Sequence, residues 1–310
     1  MKFKKFEDIG VSTMTFTATS NSIFNISRLF NELPITKYTP VKKKRGRKKK
    51  NEQQVDTSKK LSFGSIITLK YQDKIRGIDL KSKSKNKKKP KWFRNSITVV
   101  IMIDKFINFK ICKNGTFQMT GCKSKKHAIE CVKIVWKLIK DKDLYTFKSD
   151  DTFFKCIFIP SMRNIDFNLG FTVDREKFNK YMSEQEEFRC LLETSFGYTG
   201  LNIKLLLEND INNMKTTVLE YKAAPRRGGS AAKEDFYLKQ STYKEYLKLL
   251  TKKERKTKLE TKRYHTFLVF HSGSCIFSGL TEEFMKPVYE TFVKIIRKAR
   301  PHIEERLDTT

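Results

Sequence analysis

Acidic residues are scarce in this chain: 34 Asp and Glu stand against 65 Lys and Arg, a formal charge of +31 over 310 residues. Such a one-sign excess repels itself and is relieved by a polyanion, which makes nucleic acid the default partner. No run of about 18 apolar residues occurs, and no basic amphipathic helix stands at a terminus, so neither a membrane span nor a membrane-surface anchor is expected. The opening MKFKKFEDIG reaches acids too soon for a secretory leader. An intracellular chain is expected, in the cytosol or a nucleus and not secreted.

Metal and cofactor signatures are missing as well. The six cysteines (Cys112, Cys122, Cys131, Cys156, Cys190, Cys275) show no CxxC and no Cys/His spacing of a zinc finger, and the four histidines give no HExxH. His127, at the start of a helical stretch, is expected to be solvated. No GxxxxGK[ST], GxGxxG or GxSxG is present, and no carboxylate pair has an evident acid/base arrangement. Asp150-Asp151 and Glu186-Glu187 are expected to be solvated charges. No cofactor, no metal and no catalytic activity are expected.

What is present is a repeated pattern. Phe109 to Lys140 reads as a strand, an Asn114-Gly115 turn, a strand ending at Thr120-Gly121, and an amphipathic helix with Ser124 as N-cap. Asn-Gly between alternating runs is a hairpin signal, because both residues accept the positive φ of a primed turn. The same unit returns as Phe267 to Phe270, Ser272-Gly273, Ser274 to Phe277, Ser278-Gly279, and a helix from about Thr281 to Arg300. The spacing from Gly115 to Gly273 equals that from Gly121 to Gly279, 158 residues, so the inner strand keeps its length. Two copies of one fold are the simplest account. A weaker echo pairs Ser62-Phe63-Gly64 with Ser195-Phe196-Gly197. The repeats are expected to span 1–149 and 150–310, with insertions near 40–60, 80–92 and 207–263.

The remaining elements follow from composition. Residues 11–19 alternate threonine with apolar side chains, giving a strand with one hydroxyl face. Asn25 to Leu33 and Asp174 to Met182 read as helices, Ser65 to Tyr71, Leu201 to Leu206 and Asn164 to Phe171 as strands. Ile97 to Ile103 is a near-continuous apolar strand suited to a central sheet position. The insertion before Arg263 is polar, with a helical-looking part from Thr242 to Leu259.

Two tracts cannot pack. Lys42 to Lys50 holds eight cations in nine residues, and Lys81 to Lys91 leads into Trp92-Phe93. Arg45-Gly46-Arg47 is similar to an AT-hook, whose arginines enter the minor groove, but lacks the proline that usually follows; a plain polycation or nuclear-import signal fits the same residues. The second tract is a phosphate-binding tether.

At the hairpins the chain resembles the TATA-box-binding protein family. Asn114 to Ser124 resembles the family's "SGKMVVTGAKS" hairpin, Val99 to Met102 its "AVIM" strand, Phe267 to Gly273 its "LLIFVSG", and Val288 to Phe292 its "IYEAF". Residues 12–17 and 64–77 look like the divergent family members of large DNA viruses. The resemblance implies an α+β fold: a pseudo-symmetric saddle of two repeats, each a curved antiparallel sheet with helices on its convex side. It implies that the concave face grips the minor groove of double-stranded DNA, with apolar wedges opening base steps.

Transferred position by position, the resemblance makes Phe270 a wedge and Leu268 its neighbouring groove contact. Thr120 and Ser278 become hydroxyl contacts, and Gln118 and Ile276 the contacts two residues earlier. Thr13, Thr15 and Asn164 fall on first-strand positions. Cys112 replaces the first-repeat counterpart of Phe270, and the other wedges fall near Phe63 and at Phe196 or Tyr198. Glu186, Glu187 and Glu193 lie where the family docks a B-type general transcription factor. The implied role is transcription initiation with that factor and a multisubunit RNA polymerase, as a monomer on DNA, in a host nucleus or a cytoplasmic viral factory. The competing role on the same fold is a basic architectural protein that packages DNA without promoter choice.

Overall fold

A computed structural model describes residues 3–39, 61–80, 93–185, 188–192, 200–207, 211–223 and 234–305. Its first half runs β1 (Val11–Ser20), β2 (Ser22–Phe24), α1 (Ile26–Glu32), β3 (Ile66–Tyr71), β4 (Lys74–Gly77), β5 (Ser96–Met102), β6 (Phe106–Cys112), β7 (Thr116–Cys122), α2 (Lys125–Asp141) and β8 (Tyr145–Phe147). Then come β9 (Phe154–Asn168), α3 (Arg175–Ser183), β10 (Phe188–Leu192), β11 (Gly200–Leu206), β12 (Lys215–Ala223) and β13 (Glu234–Thr242). The chain ends with α4 (Tyr243–Lys248), α5 (Lys252–Glu260), β14 (Tyr264–Phe270), β15 (Ser274–Gly279) and α6 (Glu282–Ile303). The class is α+β, as expected.

Two compact units result, and neither is a continuous half of the chain. One comprises Phe16–Ile159 and Thr217–Gln240, the other Met1–Thr15, Pro160–Thr216 and Ser241–Thr310. Their limits differ from a simple cut near residue 150, because β1 and β9 each pass from one unit to the other and the β12–β13 hairpin returns to the first.

In the unit that begins at Phe16 the strands lie in the order β1-β7-β6-β5-β3-β4. β5, with β3 and β6 as its antiparallel neighbours, holds the central place its apolar run predicts; Ile97, Val99 and Ile101 are fully buried. α2 buries Ala128, Cys131, Val132, Val135, Trp136 and Ile139 at helical spacing. Ser124 takes the extended N-cap conformation but makes no side-chain cap. His127 supplies the acceptor instead: the Lys123 N–H donates to its Nδ1 (3.1 Å), and its Nε2 lies 2.9 Å from Asp104 Oδ2. His127 is therefore buried, contrary to the solvated position expected of it, because its ring closes the first turn.

The other unit has the order β10-β11-β14-β15-β9, every pair antiparallel. Its core packs Phe267, Phe277 and Phe292 in a stack, with centroids 4.0 Å and 3.8 Å apart, between the β14–β15 hairpin and α6. Asp174 caps α3 by accepting from the Glu176 and Lys177 N–H groups. The first residues of β1 join this unit, where Ser12 Oγ donates to the Asn164 carbonyl (3.1 Å).

The repeat is thus a strand order, β7-β6-β5-β3 matching β15-β14-β11-β10, with α2 and α6 following the hairpins. Both hairpins turn alike. Gly115 N–H donates to the Cys112 carbonyl (3.0 Å) and Gly273 N–H to that of Phe270 (2.9 Å), with φ of +78° and +75° at the two glycines. Asn114 does not share the positive φ of a primed turn; its Oδ1 accepts from the Thr116 N–H (3.3 Å) while the glycine alone takes the left-handed conformation.

Three further elements differ from expectation. β9 starts ten residues before Asn164 and runs through Pro160, because β12 pairs with Phe154 to Phe158 and β15 with Arg163 to Asn168. Pro160, which cannot donate, falls between the two ladders. The polar insertion is largely folded, as β12, β13, α4 and α5. The Ser-Phe-Gly echo does not mark equivalent places: Ser62-Phe63-Gly64 precedes β3, whereas the second copy precedes β11, the counterpart of β5.

Candidate functional site

Alternation divides each hairpin into a core side and an open side. In β6, Ile107, Phe109 and Ile111 are buried, leaving Phe106, Asn108, Lys110 and Cys112 on the other face. In β7, Phe117 and Met119 are buried and Thr116, Gln118 and Thr120 face outward. The register sets Lys110 opposite Gln118 and Asn108 opposite Thr120, whose Oγ1 donates to the Asn108 carbonyl (3.2 Å). On β5, Thr98 stands opposite Lys110 and Ser96 opposite Cys112.

The second unit repeats this face with other side chains. Phe267 and Val269 of β14 are buried, while Thr266, Leu268 and Phe270 are half-buried on the open side. Leu268 pairs with Ile276 and Thr266 with Ser278 across the hairpin. β9 adds Asn164 opposite Ser278 and Asp166 opposite Ile276; β11 adds Asn202 opposite Leu268 and Gly200 opposite Phe270. The predicted contacts Leu268, Phe270, Ile276, Ser278 and Asn164 therefore share one face of one unit. Gln118 and Thr120 lie at the matching places of the other.

The remaining predicted residues divide. Thr13 and Thr15 alternate out of phase with the buried Phe16 and Ala18, so β1 carries the hydroxyl face its sequence predicts. Phe63 is 58% exposed, but in the loop before β3, where Gly64 N–H donates to the Met102 carbonyl (2.8 Å) and Gly64 faces Ile134 of α2. That is the Met102 end of β5, away from Cys112, so Phe63 does not join the open face at the first-repeat wedge place. Arg45, Arg47, Glu186, Glu187, Glu193, Phe196 and Tyr198 lie outside the described residues.

Two residues on this face were not picked out by sequence. Phe93, in the loop before β5, is 66% exposed, with Lys110 Nζ 3.8 Å from its ring centroid. It precedes β5 in the chain as Phe196 and Tyr198 precede β11 in the sequence, and β5 and β11 correspond. The signal was an aromatic pair, Trp92-Phe93, at the end of a lysine tract. Asn202 is the other; its Oδ1, like that of Asn164, is buried with no hydrogen-bond partner among the described residues.

Charge on the face is mixed: Lys110, Lys204 and Arg189 are cations, Lys70 pairs with Asp79 (2.6 Å), and Asp166 is an exposed carboxylate. Among the described residues no three His, Cys, Asp or Glu side chains gather as a metal site, and no helix is long and apolar enough to cross a membrane.

An α+β chain of two repeats, each with a hydroxyl-and-apolar strand face opposite its helices, accords with the resemblance to TATA-box-binding proteins, and the sequence comparisons point the same way. The chain is 31% identical over 165 residues to a TATA-box-binding protein-like chain of Acanthamoeba polyphaga mimivirus, covering 44% of this chain and 43% of that one. It is 29% identical over 221 residues to an uncharacterised protein, 335L, of Invertebrate iridescent virus 6, covering 69% and 64%. It thus spans less than two thirds of the length of either relative. Among solved structures, the Methanococcus jannaschii TATA-box-binding protein aligns over 94% of this chain and 98% of its own, at 12% identity and a TM-score of 0.43. No family model matches.

Proposed function

We propose that this chain is a viral TATA-box-binding-protein-like factor that binds double-stranded DNA through the open strand faces of its two repeats. The observation that carries this is the repeated face itself: Gln118 and Thr120 in one unit, Ile276 and Ser278 in the other, stand on equivalent strands at a spacing of 158 residues. Short hydroxyl and apolar side chains suit a minor groove, which offers few donors and acceptors to read. Phe270, half-buried beside the smallest residue, is the wedge of the second repeat; Cys112, its first-repeat counterpart, supplies no ring, and the exposed aromatic there is Phe93 in the loop before β5. The lysine tracts, Arg45 and Arg47 included, add phosphate contacts, and the family's partner surface falls at Glu186, Glu187 and Glu193. The role is transcription initiation with a B-type factor and a multisubunit RNA polymerase, without catalysis, in a host nucleus or a cytoplasmic factory.

A packaging role is favoured by one observation, the charge of +31. Deleting residues 42–50 and 81–91 separates the two. Both roles lose affinity steeply with salt. The initiation role requires that the deleted protein still bends A·T-rich duplexes in an electrophoretic bending assay, and loss of all binding favours packaging.

A further inference from the structure

The two repeats differ in side-chain size at one equivalent place. In the second, β14 presents Phe270 opposite Gly200, and the ring fills the surface. In the first, β6 presents Cys112 opposite Ser96, two small side chains where the other repeat has an aromatic one. A hollow of about 610 Å³ lies here, lined by Ser96, Cys112, Phe93 and Ile23 among others. Such a volume lies within the range of pockets that hold small organic ligands.

The chemistry of the hollow is specific. Phe93 offers an exposed ring, with the Lys110 ammonium 3.8 Å from its centroid. Gln118, Asn95 and Asn114 bring amide donors and acceptors to the rim, and Arg94, Lys113 and Lys148 bring positive charge. Among the described residues no carboxylate lines it. A planar ring to stack on, amides to pair with polar ring edges, and cations without anions fit a nucleobase carrying a phosphate.

We infer that this hollow receives one nucleobase displaced from the DNA stack, Phe93 stacking on it and the Arg94, Lys113 and Lys148 side chains holding its flanking phosphate. The first repeat then accommodates a base where the second inserts a ring. The inference rests on DNA binding as proposed above. The shared chemistry, a base with a phosphate, could also come from a free mononucleotide.

The test uses the full chain and A·T-rich duplexes in which 2-aminopurine replaces one adenine, moved position by position. Anisotropy of an end label measures binding, and 2-aminopurine emission at saturation measures displacement from the stack. A several-fold rise at one position is expected in the wild-type complex. In Cys112→Phe, which fills the hollow as the second repeat is filled, the rise per bound complex should vanish. Phe93→Ala gives a second reading should Cys112→Phe fail to fold. Saturated wild-type complexes without a rise at any position, or an undiminished rise in the folded variants, overturn the inference.

If anisotropy shows no duplex binding, the functional proposal fails and the hollow is judged on deoxyadenosine monophosphate alone. Binding by the wild type, seen as NMR line broadening and lost in Cys112→Phe, then supports a mononucleotide site; no binding overturns it. Such binding alongside an unperturbed duplex assigns the hollow to a free nucleotide, and the displaced base is discarded.

Discussion

Gly200 lies directly across from Phe270, and a Cβ on Gly200 would stand 3.4 Å from the ring's Cε1 and 2.5 Å from Leu268 Cδ1. The glycine is what allows both side chains to lie over β11. Leu268 ends in a flexible methyl and can turn away, so Gly200→Ala should cost less than about 1.5 kcal/mol, a Tm drop of at most about 4 °C. The displaced pair should nonetheless bend DNA less, which circular-permutation electrophoresis measures. Unchanged bending would show that the positions of Leu268 and Phe270 do not matter.

Phe270→Ala removes the ring without disturbing the buried stack of Phe267, Phe277 and Phe292 on the other side of the strand. Bending by the second repeat should fall by the equivalent of one unstacked step, a few kcal/mol. Thermal denaturation should show a much smaller loss. A variant that bends as the wild type does would remove Phe270 from the wedge role.

Asp166 is an exposed carboxylate opposite Ile276 on the proposed interface. Against a polyanion it repels, so Asp166→Asn should tighten DNA binding a few-fold at low salt, the gain shrinking as salt screens it. Weaker binding would place DNA elsewhere.

His265 is buried in β14, neither ring nitrogen is hydrogen-bonded among the described residues, and burial lowers its pKa from 6.5 to about 4. A depressed histidine favours the neutral form in the fold. Its contribution is complete above about pH 6.5 and is lost as pH falls toward 4, where the unfolded chain binds a proton that the folded chain refuses. The loss amounts to at most about 3 kcal/mol. Urea titrations across this window should show it, and His265→Phe should remove this component while leaving the carboxylate-dependent part. An identical pH profile in the variant would refute the assignment.

Of the six cysteines, Cys112 and Cys190 are half-buried and the other four are buried. Burial raises all six thiols, Cys190 to about 11, so even the accessible pair should react slowly near neutral pH. Excess Ellman's reagent should titrate two thiols in the native protein and six after denaturation. Bound DNA should protect Cys112 and not affect the buried four.

Much of this architecture could be read from residues in order. The hairpins around Gly115 and Gly273 rest on local turn chemistry, and α2, α3 and α6 on apolar spacing, so short windows carry the signal. What escaped depends on partners distant in sequence. The first half of β9 and the strand β12 define each other, Leu219 facing Cys156 and Val218 facing Ile157, and neither polar-flanked segment shows strong alternation alone. His127 lies buried because Asp104, 23 residues earlier, meets its Nε2 only once the turn after β5 reaches the start of α2. Phe93 stood at the edge of a lysine tract, and only the pairing of β5 with β6 sets it against Lys110. The face residues at the 158-residue spacing were visible because a strand's two-residue period is local; whether a given ring lay inward or outward was settled by register.

The threading of the two units through the sequence bears on how the protein is made. The unit that opens at Phe16 needs Thr217–Gln240 to close, and the other holds Met1–Thr15 in waiting until Ser241–Thr310 arrives. During synthesis from the N-terminus, neither can be complete before most of the polypeptide has left the ribosome. No single cleavage point yields two self-sufficient pieces: loss of Ser241–Thr310 alone costs one unit, and a truncation that also takes Thr217–Gln240 costs both.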